Sequence, residues 1–326
     1  MAEAIHPPPR RAPVPVLCVG AAVAGGAGKT PVVLSIEQRI RRRWPTVRVG
    51  FLTRGYGGRQ RSPLRVDLSV HTAKRVSDEG MLLARAAPTW VCANRWEGAM
   101  AACASEQRPT VLIMDDGLQH HTLWRDLSLL VIDADYLVGN GRVLPAGPLR
   151  EPFARALTRA DALVALSPIA DGASQRLVAP PSEEHLRQTL GLAPAMPIIR
   201  AALQPEPEAA RRLAGTRVVA FSATARPERF FRALRSLGCR VCETLALPDH
   251  APVPPEALQR LRCIAVAEHA RLVTTSKDAA RMSAAELQGI GVLPVQVEWD
   301  EAGEERLDML IEGIFAQFSY VGASGR

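Results

Sequence analysis

The chain has 326 residues, of which 47% are hydrophobic and 22% charged, enough for one large or two ordinary globular domains with a sizeable core. Its net charge of +7 and pI near 9.5 favour anionic partners such as nucleotides, phosphorylated sugars or phospholipids. Aromatic residues are only 5% and do not alternate with Arg, so no nucleic-acid partner is expected, and without 18 consecutive apolar residues no membrane span is expected.

Residues 1–15 are rich in Pro and Arg and lack the apolar core of a signal peptide. Residues 14–20 read as a buried strand that feeds a Gly-rich turn, and 31–43 as a helix with Pro31 in its first turn. Strands follow at 47–53, 89–93, 110–114, 127–132 and 162–166, with helices at 77–86, where Ser77 is the N-cap, and at 95–106. A stretch rich in Pro, Ala, Gly and Ser, residues 168–181, reads as a boundary. Beyond it, strands at 217–221, 240–245, 272–275 and 292–297 alternate with helices at 227–237, 255–269 and 278–288, and a helix at 307–318 closes the chain. This alternation predicts the α/β class: a P-loop NTPase-like, mostly parallel sheet with helices on both faces, plus a second, smaller α/β domain. The expected domains are 1–170, nucleotide-binding and catalytic, and 171–326, closing the cleft, with the last helix able to return to the first. The six Cys include one close pair, Cys239 and Cys242, with no second pair to complete a zinc site, so reduced cytosolic thiols are expected.

Only three of the 40 basic residues are Lys, and one of them is Lys29 in Gly25-Gly26-Ala27-Gly28-Lys29-Thr30. Such a turn, after an apolar strand and before a helix, converges backbone N–H groups on a polyphosphate; the slim ammonium adds charge and the hydroxyl reaches Mg²⁺. The strict P-loop spacing asks for Gly where Val23 stands. The expected nucleotide-binding run is therefore Val23, Ala24, Gly25, Gly26, Ala27, Gly28, Lys29 and Thr30. Asp115 and Asp116 end an apolar run, where carboxylates of a doubly wound sheet face the ligand crevice; either could hold Mg²⁺ beside Thr30. Arg54, in Arg54-Gly55-Tyr56-Gly57-Gly58, and Asn140 and Arg142, in Gly139-Asn140-Gly141-Arg142, could clamp phosphate or sugar hydroxyls, as could Arg150. Asp78 could assist a helix N-terminus, and His250 could be an ordinary surface His. A phosphoryl acceptor also needs an oriented base, which an Asp and a His could supply.

Taken together these segments resemble the tetraacyldisaccharide 4'-kinase (lipid A 4'-kinase) family. The resemblance rests on the Gly25–Thr30 turn, Leu52-Thr53-Arg54-Gly55-Tyr56-Gly57-Gly58, Asp115-Asp116-Gly117-Leu118-Gln119-His120 and the run from Gly139 to Pro152. It continues in Arg226-Pro227-Glu228-Arg229-Phe230-Phe231, Pro248-Asp249-His250 and Thr274-Thr275-Ser276-Lys277-Asp278. It implies ATP and Mg²⁺-dependent phosphorylation of the 4'-hydroxyl of a tetraacylated glucosamine disaccharide 1-phosphate. Carried over, Lys29 and Thr30 bind phosphate and metal, Asp115 and Asp116 organise Mg²⁺, and Asp78 is the catalytic acidic residue, working with His250. Arg150 and Glu151 match positions of the nucleotide and metal region. The implied partner is an anionic glycolipid, met by a monomeric protein bound peripherally to the cytoplasmic face of the bacterial inner membrane. The family usually has Asn and Thr where this chain has Ala21 and Val23, and Glu where it has Ser276. The family's apolar N-terminal helix has no counterpart here, so either the start lies further upstream or membrane contact rests on basic and apolar surface elsewhere. The alternatives are a P-loop kinase for another sugar or lipid acceptor, and a weakly catalytic nucleotide-binding scaffold or sensor.

Overall fold

The computed structural model describes residues 8–167 and 181–324. Residues 1–7 and nearly all of the anticipated boundary at 168–181 lie outside the described residues. The chain divides into two compact units. The first takes Met1–Leu166, Ala193–Ala201 and Trp299–Arg326, and the second takes Ser167–Leu192 and Ala202–Glu298. A single cut near residue 170 is therefore too simple: the segments at 193–201 and 299–326 belong with the first unit.

In chain order the first half contains β1 (Val16–Gly20), α1 (Lys29–Arg43), β2 (Val49–Thr53), β3 (Leu64–Arg65), α2 (Ala73–Val76) and α3 (Asp78–Ala84). Then come β4 (Thr89–Val91), α4 (Arg95–Cys103), β5 (Val111–Asp115), β6 (Leu127–Asp133), α5 (Phe153–Leu157) and β7 (Ala162–Ser167). They continue with α6 (Glu183–Leu190), β8 (Ile198–Pro205), α7 (Pro207–Leu213), β9 (Arg217–Ser222), α8 (Pro227–Ser236) and β10 (Arg240–Ala246). The chain ends with α9 (Pro255–Ala267), β11 (Arg271–Thr275), α10 (Ser276–Arg281), α11 (Ala284–Leu287), β12 (Ile290–Leu293), β13 (Val295–Trp299) and α12 (Glu301–Ser324).

Among the described residues a nine-stranded sheet runs β13-β8-β7-β6-β1-β5-β2-β4-β3. The pairs β6–β1, β1–β5, β5–β2, β2–β4 and β6–β7 are parallel, and β3 joins β4 antiparallel. Every residue of β1, β2, β5 and β6 is buried, as expected of parallel strands covered on both faces. One face packs Val16, Cys18, Leu52, Leu112 and Met114 against Ala99 and Ala102 of α4. Helix α1 buries Val32, Val33, Ile36 and Ile40 at helical spacing.

The last helix belongs to this unit. Leu307, Ile311 and Ile314 are buried along one stripe of α12. Arg39 of α1 grips Asp308 with Nη2 at 2.7 Å, Arg43 reaches Glu312 at 3.0 Å, and Trp44 meets Phe315 edge-on at 5.4 Å. Trp299 Nε1 donates to Ser35 Oγ at 2.8 Å. Basic residues in the last turns of α1 thus face acidic residues of α12, a long-range pairing that no local pattern announces.

In the second unit a four-stranded sheet runs β10-β9-β11-β12, with all its pairs parallel. Phe230, Phe231 and Leu234 of α8 pack in one core cluster with Val218 and Ala220, and Leu258 and Leu261 of α9 pack in another with Val219 and Phe221. The Phe230-Phe231 pair of the motif is therefore core. Two expected elements are split. Pro294 cannot donate to a ladder, so the run 292–297 becomes β12 and β13. Ser283 and Glu286 form a capping box, so the helix at 278–288 becomes α10 and α11. The sequence reading omitted α6, although it carries the usual punctuation: Ser182 as N-cap, Glu183 and Glu184 in the first turn and Gly191 at the end. It also omitted β8, α7 and the short β3, α2 and α5.

Leu307 is fully buried and Met309, two residues on, is 63% exposed. Leu307→Ala is expected to cost about 3 kcal/mol, and Met309→Ala less than about 0.5 kcal/mol, measured by denaturant unfolding.

Candidate functional site

Strand β1 delivers the chain to a sharp loop. Gly25, Gly26 and Gly28 have φ of 74, 58 and 82°, the left-handed region that a Cβ disfavours. Gly28 is the N-cap of α1, whose first turn has no acidic residue while its last turn carries Arg41, Arg42 and Arg43. The helix N-terminus and its unpaired amides are thus left for an anion.

Val23, where the strict pattern wants Gly, has a structural use. It bridges Leu149 antiparallel, Ala24 N–H donates to Pro148 O at 2.8 Å, and Arg150 N–H donates to Ala22 O at 2.8 Å. Residues 22–24 and 148–150 form a short ribbon, and Ala21, Ala22 and Val23 are buried. The approach to the loop is held by backbone bonds, so Val23 offers a ligand no polar side chain. The ribbon also brings Arg150 and Glu151 beside the loop.

The acidic pair lies at the end of the neighbouring strand, with Val19 of β1 in register with Asp115 of β5. Thr30 Oγ1 donates to Asp115 Oδ2 at 3.2 Å, and both residues are buried. Asp116 turns away with φ 56°, and its Oδ1 meets Arg150 Nη1 at 2.8 Å and Lys29 Nζ at 3.6 Å. Burial alone would push the Asp116 carboxyl up, but Lys29, then Arg150 and Arg95, outweigh it and hold it below the usual range. The two aspartates therefore differ: Asp115 faces the Thr30 hydroxyl, while Asp116 is shared between two cations. The oxygens of Thr30 and Asp115 are hard donors in a buried setting, a set that suits Mg²⁺.

Three supporting residues were not picked out as site residues from the sequence. Arg95, almost fully buried, donates through Nη2 to Asp116 O at 3.4 Å and through Nη1 to Cys92 O at 3.1 Å. Its burial lowers it to about 10, still a cation at neutral pH. Gln119 Nε2 donates to Ala21 O at 3.0 Å and to Glu151 Oε1 at 3.1 Å. Glu151 also takes an ion pair from Arg159, so its carboxylate is engaged within the site wall. His120 Nε2 accepts the Arg95 backbone N–H at 3.2 Å.

The remaining candidates lie on other segments of the chain. Arg54 is exposed just past β2. Asn140 ties its own loop, with Nδ2 donating to Ala146 O and Oδ1 accepting from Arg142 N–H. A Cβ on Gly147 would lie 2.1 Å from Asn140 Oδ1, so this loop closes only around glycine. Arg142 is exposed. Asp78 is the first residue of α3 and buried, and Ser77 Oγ caps the helix by accepting from Gly80 N–H at 3.1 Å. Ser77 itself has φ 70° and ψ 163°, a region nearly confined to glycine. Asp78 belongs to the first unit and His250 to the second. His250 is half-buried, has φ 61°, donates its N–H to Ala223 O at 3.0 Å and has Nε2 3.7 Å from Asp249 Oδ2.

His120 provides a test of the packing behind Asp116. Burial, helped by Arg95 and His121, depresses it to about 4. The unfolded chain binds its proton from about pH 6.5 downward while the folded chain resists until about pH 4, so stability is full above that window and lost as pH falls through it. His120→Asn is expected to flatten the pH dependence of stability between these limits, read from denaturant midpoints at a series of pH values.

With this geometry in place, the comparisons with known proteins are specific. Residues 4–312 match the family described as Tetraacyldisaccharide-1-P 4'-kinase. A tetraacyldisaccharide 4'-kinase of Rhodospirillum centenum is 46% identical over 305 residues, covering 93% of this chain and 84% of that protein. One from Paramagnetospirillum magneticum is 43% identical, covering 89% and 83%. The solved structure of the Aquifex aeolicus LpxK protein in complex with ATP superposes with a TM-score of 0.70 at 28% identity, covering 94% of this chain and 90% of that one. The chain belongs to the tetraacyldisaccharide-1-phosphate 4'-kinase family.

Proposed function

We propose that this chain transfers the γ-phosphoryl group of ATP to the 4'-hydroxyl of a tetraacylated glucosamine disaccharide 1-phosphate. The observation that carries the reading is the cluster at the ends of β1 and β5. There the Gly25–Thr30 turn, the Thr30–Asp115 contact and the Lys29–Asp116–Arg150 charges meet under one helix N-terminus.

The chain's own groups divide the work. The loop amides and Lys29 hold the β- and γ-phosphates, and Lys29 leaves Asp116 for the nucleotide when it binds. Arg150 stays with Asp116 and keeps that carboxylate charged. Thr30 and Asp115 would hold Mg²⁺, which would neutralise charge on the phosphate oxygens. Asp78, fixed in direction by the Ser77 cap, accepts or orients the acceptor proton, and His250 assists. Arg54 and Arg142 are exposed cations for the acceptor's phosphate; Asn140 contributes by shaping the loop that carries Arg142. Positioning and electrostatics supply most of the acceleration in such reactions.

In this reading the acceptor is an anionic glycolipid, and the protein is a monomer attached peripherally to the cytoplasmic face of the inner membrane. Among the described residues no helix is long and apolar enough to cross a membrane. The net charge of +7 suits an anionic surface.

Turnover of ATP with the tetraacyl disaccharide 1-phosphate tests the reaction. Lys29→Ala is expected to lower kcat at least a hundredfold. ADP formation no faster in the native protein than in this variant overturns the proposal. Asp78→Asn is expected to lower kcat about a hundredfold or more while leaving the KM for ATP within about threefold. An equal loss in ATP affinity would move Asp78 to the nucleotide instead. Thr30→Ala is expected to raise the Mg²⁺ concentration for half-maximal rate about tenfold or more, seen in an Mg²⁺ titration at saturating ATP.

A further inference from the structure

The segment Thr274-Thr275-Ser276-Lys277-Asp278 carries no role in the mechanism above, yet its aspartate is among the most buried charges of the second unit. Asp278 is 2% exposed. A carboxylate so placed is costly unless it is paired and hydrogen-bonded.

Its partners are specific. Asp278 Oδ2 accepts from Thr275 Oγ1 at 2.6 Å, and the Asp278 N–H donates back to that hydroxyl at 3.2 Å, which closes the start of α10. Oδ1 has two partners. It accepts from Ala223 N–H at 2.9 Å and from Arg281 Nη1 at 3.1 Å. Arg281 in turn donates from Nη1 and Nη2 to Ala223 O, both at 3.2 Å, and from Nη1 to Ala251 O at 3.4 Å. The carbonyl of Ala223 is the same one that receives the His250 N–H at 3.0 Å.

The topology explains this convergence. β9, β10 and β11 are parallel neighbours or next neighbours, so their C-terminal ends share one edge of the sheet. Ala223 follows β9, His250 follows β10, and Asp278 follows β11. Ligand-facing groups of open α/β sheets gather at such an edge. A helix cap needs only the first turn of its own helix; Asp278 instead fixes a peptide 55 residues away in sequence. His250, at φ 61°, holds a conformation that persists only where its surroundings over-determine it.

We propose that Asp278 and Arg281 are positioning residues for His250, acting through both polar groups of Ala223 and the carbonyl of Ala251. The claim rests on the reading of His250 as a functional residue. Asp278 and Arg281 act by setting where the imidazole stands.

Kinetics of Asp278→Asn, Arg281→Lys and Arg281→Met, each made in the native and in the His250→Ala protein, test it. Arg281→Met is expected to lower kcat about ten- to a hundredfold with the KM for ATP unchanged, and Arg281→Lys to recover part of the loss. In the His250→Ala background the same changes are expected to add less than about twofold, because residues that act through one another are non-additive. The same fold-loss in both backgrounds overturns the proposal. A His250→Ala protein with full kcat removes the role of His250, and that failure is read from a separate variant. If Arg281→Met does not fold, the ring resonances of His250, identified by their loss in His250→Ala, decide the matter in Arg281→Lys and Asp278→Asn. A displaced His250 signal supports positioning, and an unchanged one overturns it.

Discussion

The parallel pairing of β1 with β5 is the constraint on which the candidate site depends. Both strands are buried along their whole length, so neither can carry polar side chains until its C-terminal end. Register then does the rest: Val19 lies beside Asp115, and the chains leave the sheet together. One exit becomes the Gly loop and α1; the other becomes the Asp115–Asp116 turn. The Thr30–Asp115 contact follows from that adjacency. The helix dipole of α1 and the cations around Asp116 act at the same place because the strands end there.

Backbone conformation marks the same regions. Among the described residues the positive-φ positions other than Gly are Ser77, Asp116, Leu137, His250 and His269. Three of these five are a candidate residue or its immediate neighbour. Each strained position is held by specific bonds: Ser77 by its cap to Gly80, Asp116 by Arg150, Lys29 and the Val19 carbonyl, and His250 by Ala223. Strain of order 1–3 kcal/mol per residue persists only under such support. Those bonds fix the backbone that carries the candidate side chains.

The charge pattern has a comparable logic. Arg supplies nearly all the positive charge and is used for grip, as in Arg39 on Asp308, Arg159 on Glu151 and Arg281 on two carbonyls. Its planar fork suits several acceptors at once. Lys29 is different in kind: a compact ammonium at the start of α1, 3.6 Å from Asp116. The loop thus sets two different cations, Lys29 at 3.6 Å and Arg150 at 2.8 Å, on one carboxylate oxygen of Asp116.

The sequence by itself determined the α/β class, most strands and helices, the Gly-Lys-Thr turn, the Asp pair and the Ser77 cap. These are local: periodicity, turn residues and caps act within a few positions. It also carried enough family-specific segments to point to the kinase family. It did not show what holds Val23, because the ribbon with residues 148–150 joins segments far apart in the chain. It could not see Arg95, Gln119 and His120 as supports, since an Arg reads as exposed until the fold buries it. Nor could it separate Asp115 from Asp116, or link Asp278 to His250. Tertiary structure decided those points, because each depends on which strand ends lie side by side; the return of α12 to the first unit, an option already in the sequence, it fixed through the α1 contacts. Strand order is set by the burial of whole apolar strands, a property of the assembled sheet that no short stretch of sequence contains.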